Sequence, residues 1–126
     1  GFEPAETLRA LGRCNKNTVV ITSLAPVMPY TDNIGQGVYP DLKQLKELIQ
    51  AKAAKLIAFN AASLAEKAGN VLSVNMVLLG ALTQTAIMPF TSDCIKEALH
   101  RNTKKAFLES NLKAFDLGFE AAAAAA

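Results

Sequence analysis

Few residues in this chain can move a proton, hold a metal or fix a charge. His100 is the only histidine, and Cys14 and Cys94 are the only cysteines, eighty positions apart. Without a C-x-x-C pair or a second histidine, neither a zinc set nor an iron–sulfur ligand set can be assembled from this sequence. A Ser/His/Asp arrangement would have to be built around that single histidine, and paired carboxylates for hydrolysis are equally unsupported.

What the sequence does offer is cations and amides. His100, Arg101, Lys104 and Lys105 fall within six positions. They read either as a solvated helix end that complements the dipole, or as a small anion patch centred on Lys104 and Lys105 for a phosphate-bearing ligand. Asn75 and Asn111 sit in apolar surroundings, each followed by a glycine, Gly80 and Gly118. Amides do not exchange protons usefully near neutral pH, so these asparagines can hold but not catalyse. Asp32 and Asn33, near Gly35 and Gly37 and flanked by Tyr30 and Tyr39, read as turn formers, or as part of a loop that enters a partner.

The elements that would position these residues can be read in order. PAETLRAL (4–11) is predicted to be a short helix, with Pro4 at its start and Gly12 at its stop. NTVVITS (17–23) and KLIAFN (55–60) are predicted strands buried on both faces. Three prolines and two glycines make 24–40 a long irregular loop or hairpin. DLKQLKELIQAKA (41–53) carries Leu42, Leu45, Leu48 and Ile49 on one helical stripe. A two-turn helix at 62–69 is capped by Gly69. A long apolar helix runs from Asn70 to about Ala86, and Pro89 breaks the chain beyond it. Helices at 92–101 and about 103–120 complete the order, with Thr91 or Ser92 as the cap of the first.

The apolar helix is greasy around its whole axis: Val71, Leu72, Val74, Met76, Val77, Leu78, Leu79, Ala81 and Leu82. The run is about 12 residues, against the roughly 20 that a membrane span needs. The expectation is therefore a central helix enclosed by protein on every side. Gly80 then marks a close backbone approach. Asn75 is expected to hydrogen-bond a neighbouring main chain, with a ligand-facing role as its alternative. Phe107, Asn111, Ala114, Phe115 and Gly118 repeat the device on the last helix.

Length and composition narrow the class. The chain has 126 residues, half of them hydrophobic (51%) and 19% charged, enough for one globular core. A net charge of +2 is too mild to argue for nucleic acid or an anionic membrane. Free thiols fit a reducing cytoplasm. Gly1 is not an initiating methionine, and no signal peptide is expected ahead of it. Six alanines close the chain (121–126), either as helix-favouring sequence or as placeholders for other side chains. Two strands apolar on both faces do not make a stable sheet, so the fold is expected to be α/β with further strands supplied upstream of Gly1 or by another chain.

LAEKAGNVLSVNMVLLGAL (64–82), the proline at 89, an amphipathic helix and NLKAFDLG (111–118) together resemble the gamma subunit or domain family of 2-oxoacid:ferredoxin oxidoreductases. Within that family they are most similar to the indolepyruvate ferredoxin oxidoreductase beta subunits. EPAETLRAL, the VVITS strand with its proline-containing loop, and VYPDLKQL fall in the family's order. The resemblance covers the chain to about Glu120 and implies a three-layer α/β/α Rossmann-like domain. Residues 1–120 would be its C-terminal two-thirds, lacking the N-terminal strand and glycine-rich loop with which the family opens.

It further implies a non-cofactor-bearing subunit of an enzyme that oxidatively decarboxylates a 2-oxoacid, indolepyruvate or another aryl pyruvate first, to an acyl-coenzyme A. Thiamine diphosphate and iron–sulfur clusters would sit on partner subunits, with coenzyme A as co-substrate and ferredoxin as the eventual electron acceptor. No catalytic or metal-ligating residue is expected on this chain. A homo-oligomer is compatible with the reading. A stand-alone α/β nucleotide-binding or self-associating module is its alternative.

Overall fold

The computed structural model describes residues 1–24 and 41–125. Apart from Leu24, the stretch read as a long loop, with Asp32, Asn33 and their flanking tyrosines, lies outside the described residues.

Helix α1 (Pro4–Arg9) begins at Glu3, whose carboxylate accepts the Glu6 N–H, and tightens into a 3-10 turn at Ala10–Arg13. Strand β1 (Val19–Ser23) follows, then α2 (Leu42–Lys52), capped by Asp41 through the Lys43 N–H at 3.1 Å. Strand β2 (Lys55–Phe59) lies parallel to β1, with Val19 opposite Lys55 and Ser23 opposite Phe59. Helix α3 (Ala61–Ala68) is capped by Asn60 and ends at Gly69, whose φ of 99° few other residues tolerate. A 3-10 turn at Val71–Ser73 leads into α4 (Val74–Gln84). Helix α5 (Ser92–Asn102) is capped by Thr91, and α6 (Lys105–Ala125) runs to the end of the described chain. The result is a mixed α/β structure, mostly helical, around a small parallel two-stranded sheet.

Alternation along β1 sends its side chains to opposite faces of the sheet. Val20 packs with Leu11 and Ile49 on the α1 and α2 side. Ile21 joins Ile57, Ala81 and Ala122 on the α4 and α6 side. A further cluster, Ala61, Ala65, Val77 and Ala114, ties α3 to α4 and α6. Helices α4 and α6 pack with their chains running the same way: Ser73 meets Asn111, and Ala81 meets Ala122. Between these ends the two helices touch backbone to backbone. A Cβ on Gly80 would collide with the Phe115 carbonyl, and one on Gly118 with the Val77 carbonyl. Lys96 fastens α5 to this pair through Asp116, at 2.7 Å, and by resting over the Phe115 ring.

Several sequence expectations need correction. The apolar helix does not start at Asn70. Asn70 instead caps the 3-10 turn by accepting the Leu72 N–H at 2.9 Å, and the α-helix begins at Val74. Nor is that helix enclosed all round. Val77, Gly80, Ala81 and Thr83 are buried, whereas Leu78, Leu79 and Leu82 are half-buried and Leu72 is 81% exposed. The wet flank faces away from α6, where no described element covers it. Asn75 is exposed, and its Oδ1 accepts the N–H of Met76, its own neighbour in sequence. Leu48 (53% exposed) and Phe107 (47%) lie outside the core, although they share a stripe with residues that are inside it. Helix α6 passes Glu120 without a break, and Ala122 from the alanine run is fully buried.

Candidate functional site

Because α4 and α6 run parallel, their first turns lie side by side. The N–H groups of a helix's first turn point outward without intrahelical partners, so each start carries partial positive charge. Here two starts share one groove of about 360 Å³, whose walls include Ser73, Asn75, Asn102, Lys104, Phe107 and Asn111. Asn70 and Phe107 also border a second hollow of about 470 Å³ toward Lys113, so the two form neighbouring parts of one furrow.

The groove is polar by construction. The buried Ser73 hydroxyl donates to Asn111 Oδ1 at 2.8 Å. Asn75 Oδ1 accepts from the Met76 N–H at 3.0 Å, and Asn70 Oδ1 from the Leu72 N–H. In all three asparagines the carbonyl end is engaged, which leaves the Nδ2 end as a donor. Asn102 is turned the other way, its Nδ2 donating to the Ala98 carbonyl at 2.8 Å. Lys104 adds a full positive charge on an exposed stem, and the half-exposed Phe107 ring adds a flat apolar surface. Such a groove suits a ligand rich in acceptors or carrying negative charge. Among the described residues that line it there is no His, Cys, Asp or Glu.

Of the residues singled out from the sequence, the fold brings Asn75, Asn111 and Lys104 together here. Lys105 and His100 do not line the groove. Gly80 and Gly118 lie further along the two helices, at the backbone contact. Ser73, Asn70 and Asn102 were missed. Ser73 had a signal available: seven residues before Gly80, it falls within about 20° of it on a helical projection. Cys14 is half-buried beside α1 and Cys94 is exposed on α5; both are free thiols. Among the described residues, no group of three His, Cys, Asp or Glu side chains could hold a metal ion, and no helix is long and apolar enough to cross a membrane.

The chain is 38% identical over 122 residues to indolepyruvate oxidoreductase subunit IorB of Pyrococcus horikoshii, a match covering 96% of this chain and 60% of that protein. The corresponding subunit of Thermococcus kodakarensis is 36% identical, with the same coverage. The chain thus spans about three-fifths of the length of the curated relatives it matches. The crystal structure of a keto/oxoacid ferredoxin oxidoreductase gamma subunit from Geobacter sulfurreducens superposes with a TM-score of 0.67 at 21% identity, covering 98% of this chain and 62% of that one, which shows a shared fold. Residues 1–121 match the family described as pyruvate ferredoxin/flavodoxin oxidoreductase, and the chain belongs to that family.

Proposed function

We propose that this chain is part of a non-cofactor-bearing subunit of a 2-oxoacid:ferredoxin oxidoreductase, with indolepyruvate or a related aryl pyruvate as the substrate. The observation that carries the reading is the 38% identity to an indolepyruvate oxidoreductase subunit over nearly the whole chain. In this reading residues 1–120 form the C-terminal two-thirds of a three-layer Rossmann-like domain. The enzyme works in the cytoplasm, with thiamine diphosphate and iron–sulfur clusters on partner subunits. Held there, thiamine diphosphate would supply the chemistry of decarboxylation. The residues described here do not fit either group: the cysteines are solitary and no acidic cluster faces them. No step is therefore assigned to this chain beyond binding and enclosure.

The groove at the paired helix starts supplies the binding part. Lys104 and the asparagine Nδ2 donors present positive charge and hydrogen-bond donors toward an acceptor-rich group, as a phosphate of coenzyme A would be. Phe107 offers a face on which a flat ring can rest.

The test is reconstitution of the full-length subunit with the thiamine- and cluster-bearing subunit encoded beside it, followed by coenzyme A-dependent reduction of ferredoxin on indolepyruvate. Activity that requires both subunits supports the reading; full activity of the partner alone overturns it. Within the active complex, Lys104→Ala is expected to raise the KM for coenzyme A by about fivefold, the worth of one partly exposed charge contact. Lys105→Ala, outside the groove, is expected to leave it unchanged.

A further inference from the structure

The two strands begin at an end of the molecule that the polar groove does not reach. Helices α1, α2, α4 and α6 all finish there. The 3-10 turn after α1 closes at Arg13, and α2 stops at Lys52. Leu82, in the last turn of α4, and Val19 pack against one cluster, which holds Ile21, Ile57 and Ala122 of α6.

Four cations stand at this end. Arg13 and Lys16 precede β1, while Lys52 and Lys55 bracket the entry to β2. The backbone draws the two pairs together: the Ala54 N–H donates to the Thr18 carbonyl at 2.8 Å, and Lys55 lies opposite Val19 in the sheet. All four residues are exposed, and among the described residues none of them joins an ion pair. Elsewhere cations are matched: Arg9 with Glu6, Lys96 with Asp116, Arg101 with Glu97. Residues 10–18, 52–55 and 84–91, which form this end, include no Asp or Glu, and α6 adds Glu120 and then alanines. The partial negative charge of the helix C-termini accounts for Arg13 and Lys52. It does not account for Lys16 and Lys55, which lie beyond them. Lys16 sits in an ordered turn, where Asn15 Oδ1 accepts the Asn17 N–H at 2.8 Å and Thr18 Oγ1 accepts the Asn15 N–H at 3.0 Å. A turn already fixed loses little entropy when its cation meets a partner.

The same end exposes large apolar side chains. The chain leaves α4 through Ala86 at a φ of 58°, where a Cβ is unfavourable, and then presents Ile87 and Phe90, each 57% exposed. An aromatic anchor beside unmatched charge has the composition of a protein interface.

We infer that the end where the strands begin docks an acidic face of the partner subunit, with Phe90 and Ile87 as apolar anchors and Arg13, Lys16, Lys52 and Lys55 opposite its carboxylates. The occupant follows from charge complementarity. A second copy seated symmetrically would lay four cations on four. A small anion would meet helix carbonyls rather than N–H groups, and none of the four cations lines the groove or the larger hollow beside β1. Nucleic acid would leave Ile87 and Phe90 unexplained, and the net charge is only +2. The relatives are named as subunits, which calls for a surface that faces protein. The partner itself comes from the proposed function, on which this docking face rests.

The test is the kinetics of assembly between the full-length subunit and the partner encoded beside it, measured across a range of salt. Lys16→Glu with Lys55→Glu is expected to slow association by about tenfold at low salt, and added salt is expected to close the gap. Lys43→Glu with Lys105→Glu makes the same charge change at the opposite end and is expected to leave the rate nearly unchanged. Phe90→Ala is expected to speed dissociation by about tenfold with little effect on association. These positions are exposed, so the variants are expected to fold. Equal association rates for the Lys16→Glu, Lys55→Glu variant and the unaltered chain, a deficit that salt does not relieve, or unchanged dissociation of Phe90→Ala would overturn the inference. So would charge reversal that abolished binding to anionic phospholipid vesicles or duplex DNA and left assembly intact. Unaltered subunits that never associate would remove the proposed function together with the docking face. Unaltered and variant subunits that assemble alike would remove the face alone.

Discussion

Gly80 and Gly118 show how a single missing atom can set the geometry of two helices. Alanine would ordinarily favour a helix interior by about 1 kcal/mol over glycine. Here the added Cβ of either residue would enter the backbone of the facing helix. Overpacking of that kind costs roughly 1–3 kcal/mol, so the steric term exceeds the propensity term. Gly118→Ala is expected to lower stability by about 1–2 kcal/mol in urea unfolding. Gly12→Ala, with nothing within 4 Å of its added Cβ, is expected to be near neutral. The same glycines explain what could be read about the asparagines. Asn111 lies seven residues before Gly118 and so shares its face, where it meets Ser73. Asn75 lies five residues before Gly80, about 140° round the helix, and is exposed. Phasing α4 on Gly80 rather than on its apolar residues would have separated the two.

At the scale of elements, the strands and most helix boundaries were legible because apolar, β-branched runs and capping residues leave local marks; β1 is buried as expected, whereas only Ile57 of β2 is buried and Lys55 is exposed. β1 and β2 fall inside the predicted 17–23 and 55–60. The buried side of α4 was not legible, because an evenly apolar helix has no preferred face in its own sequence. Its orientation is decided by α6, thirty or more residues away. The energetic consequence can be measured. Phe115 is fully buried between α4 and α5, and Phe115→Ala is expected to cost about 3–5 kcal/mol. Leu78→Ala removes a side chain that is only half-buried. In this 126-residue chain its cost is expected to fall below the roughly 2–5 kcal/mol of a core leucine. Equal losses for the two substitutions, read from thermal or denaturant melts, would show that α4 is enclosed after all.

For the molecule as a whole, family membership is readable from motif order, although the central helix is not fully enclosed as its apolar residues suggest. Order along the chain survives where the local environment of a helix does not reveal itself. The whole-molecule property open to titration is stability against pH. The Gly1 amine is held below its ordinary value of about 8 by burial. In the unfolded chain it protonates at the ordinary value; in the fold the ammonium is disfavoured. Its contribution is therefore favourable above the unfolded pKa and is lost as pH falls through the lowered folded value. Stability of the chain starting at Gly1 is expected to rise modestly as pH is raised through this window. Acetylating the amine is expected to remove that dependence, as followed by denaturant melts across the range.

At Gly80 and Gly118 the seam between α4 and α6 has no side chain to absorb a displacement. Two main chains in direct contact neither slide nor twist past one another cheaply, so the pair behaves as a stiff beam. One end of that beam carries the amides and Lys104; the other, through Ala81 and Ala122, bears on Ile21 and Ile57 in the sheet. A load applied by any molecule seated at the first end is thus delivered to the strands with little slack between.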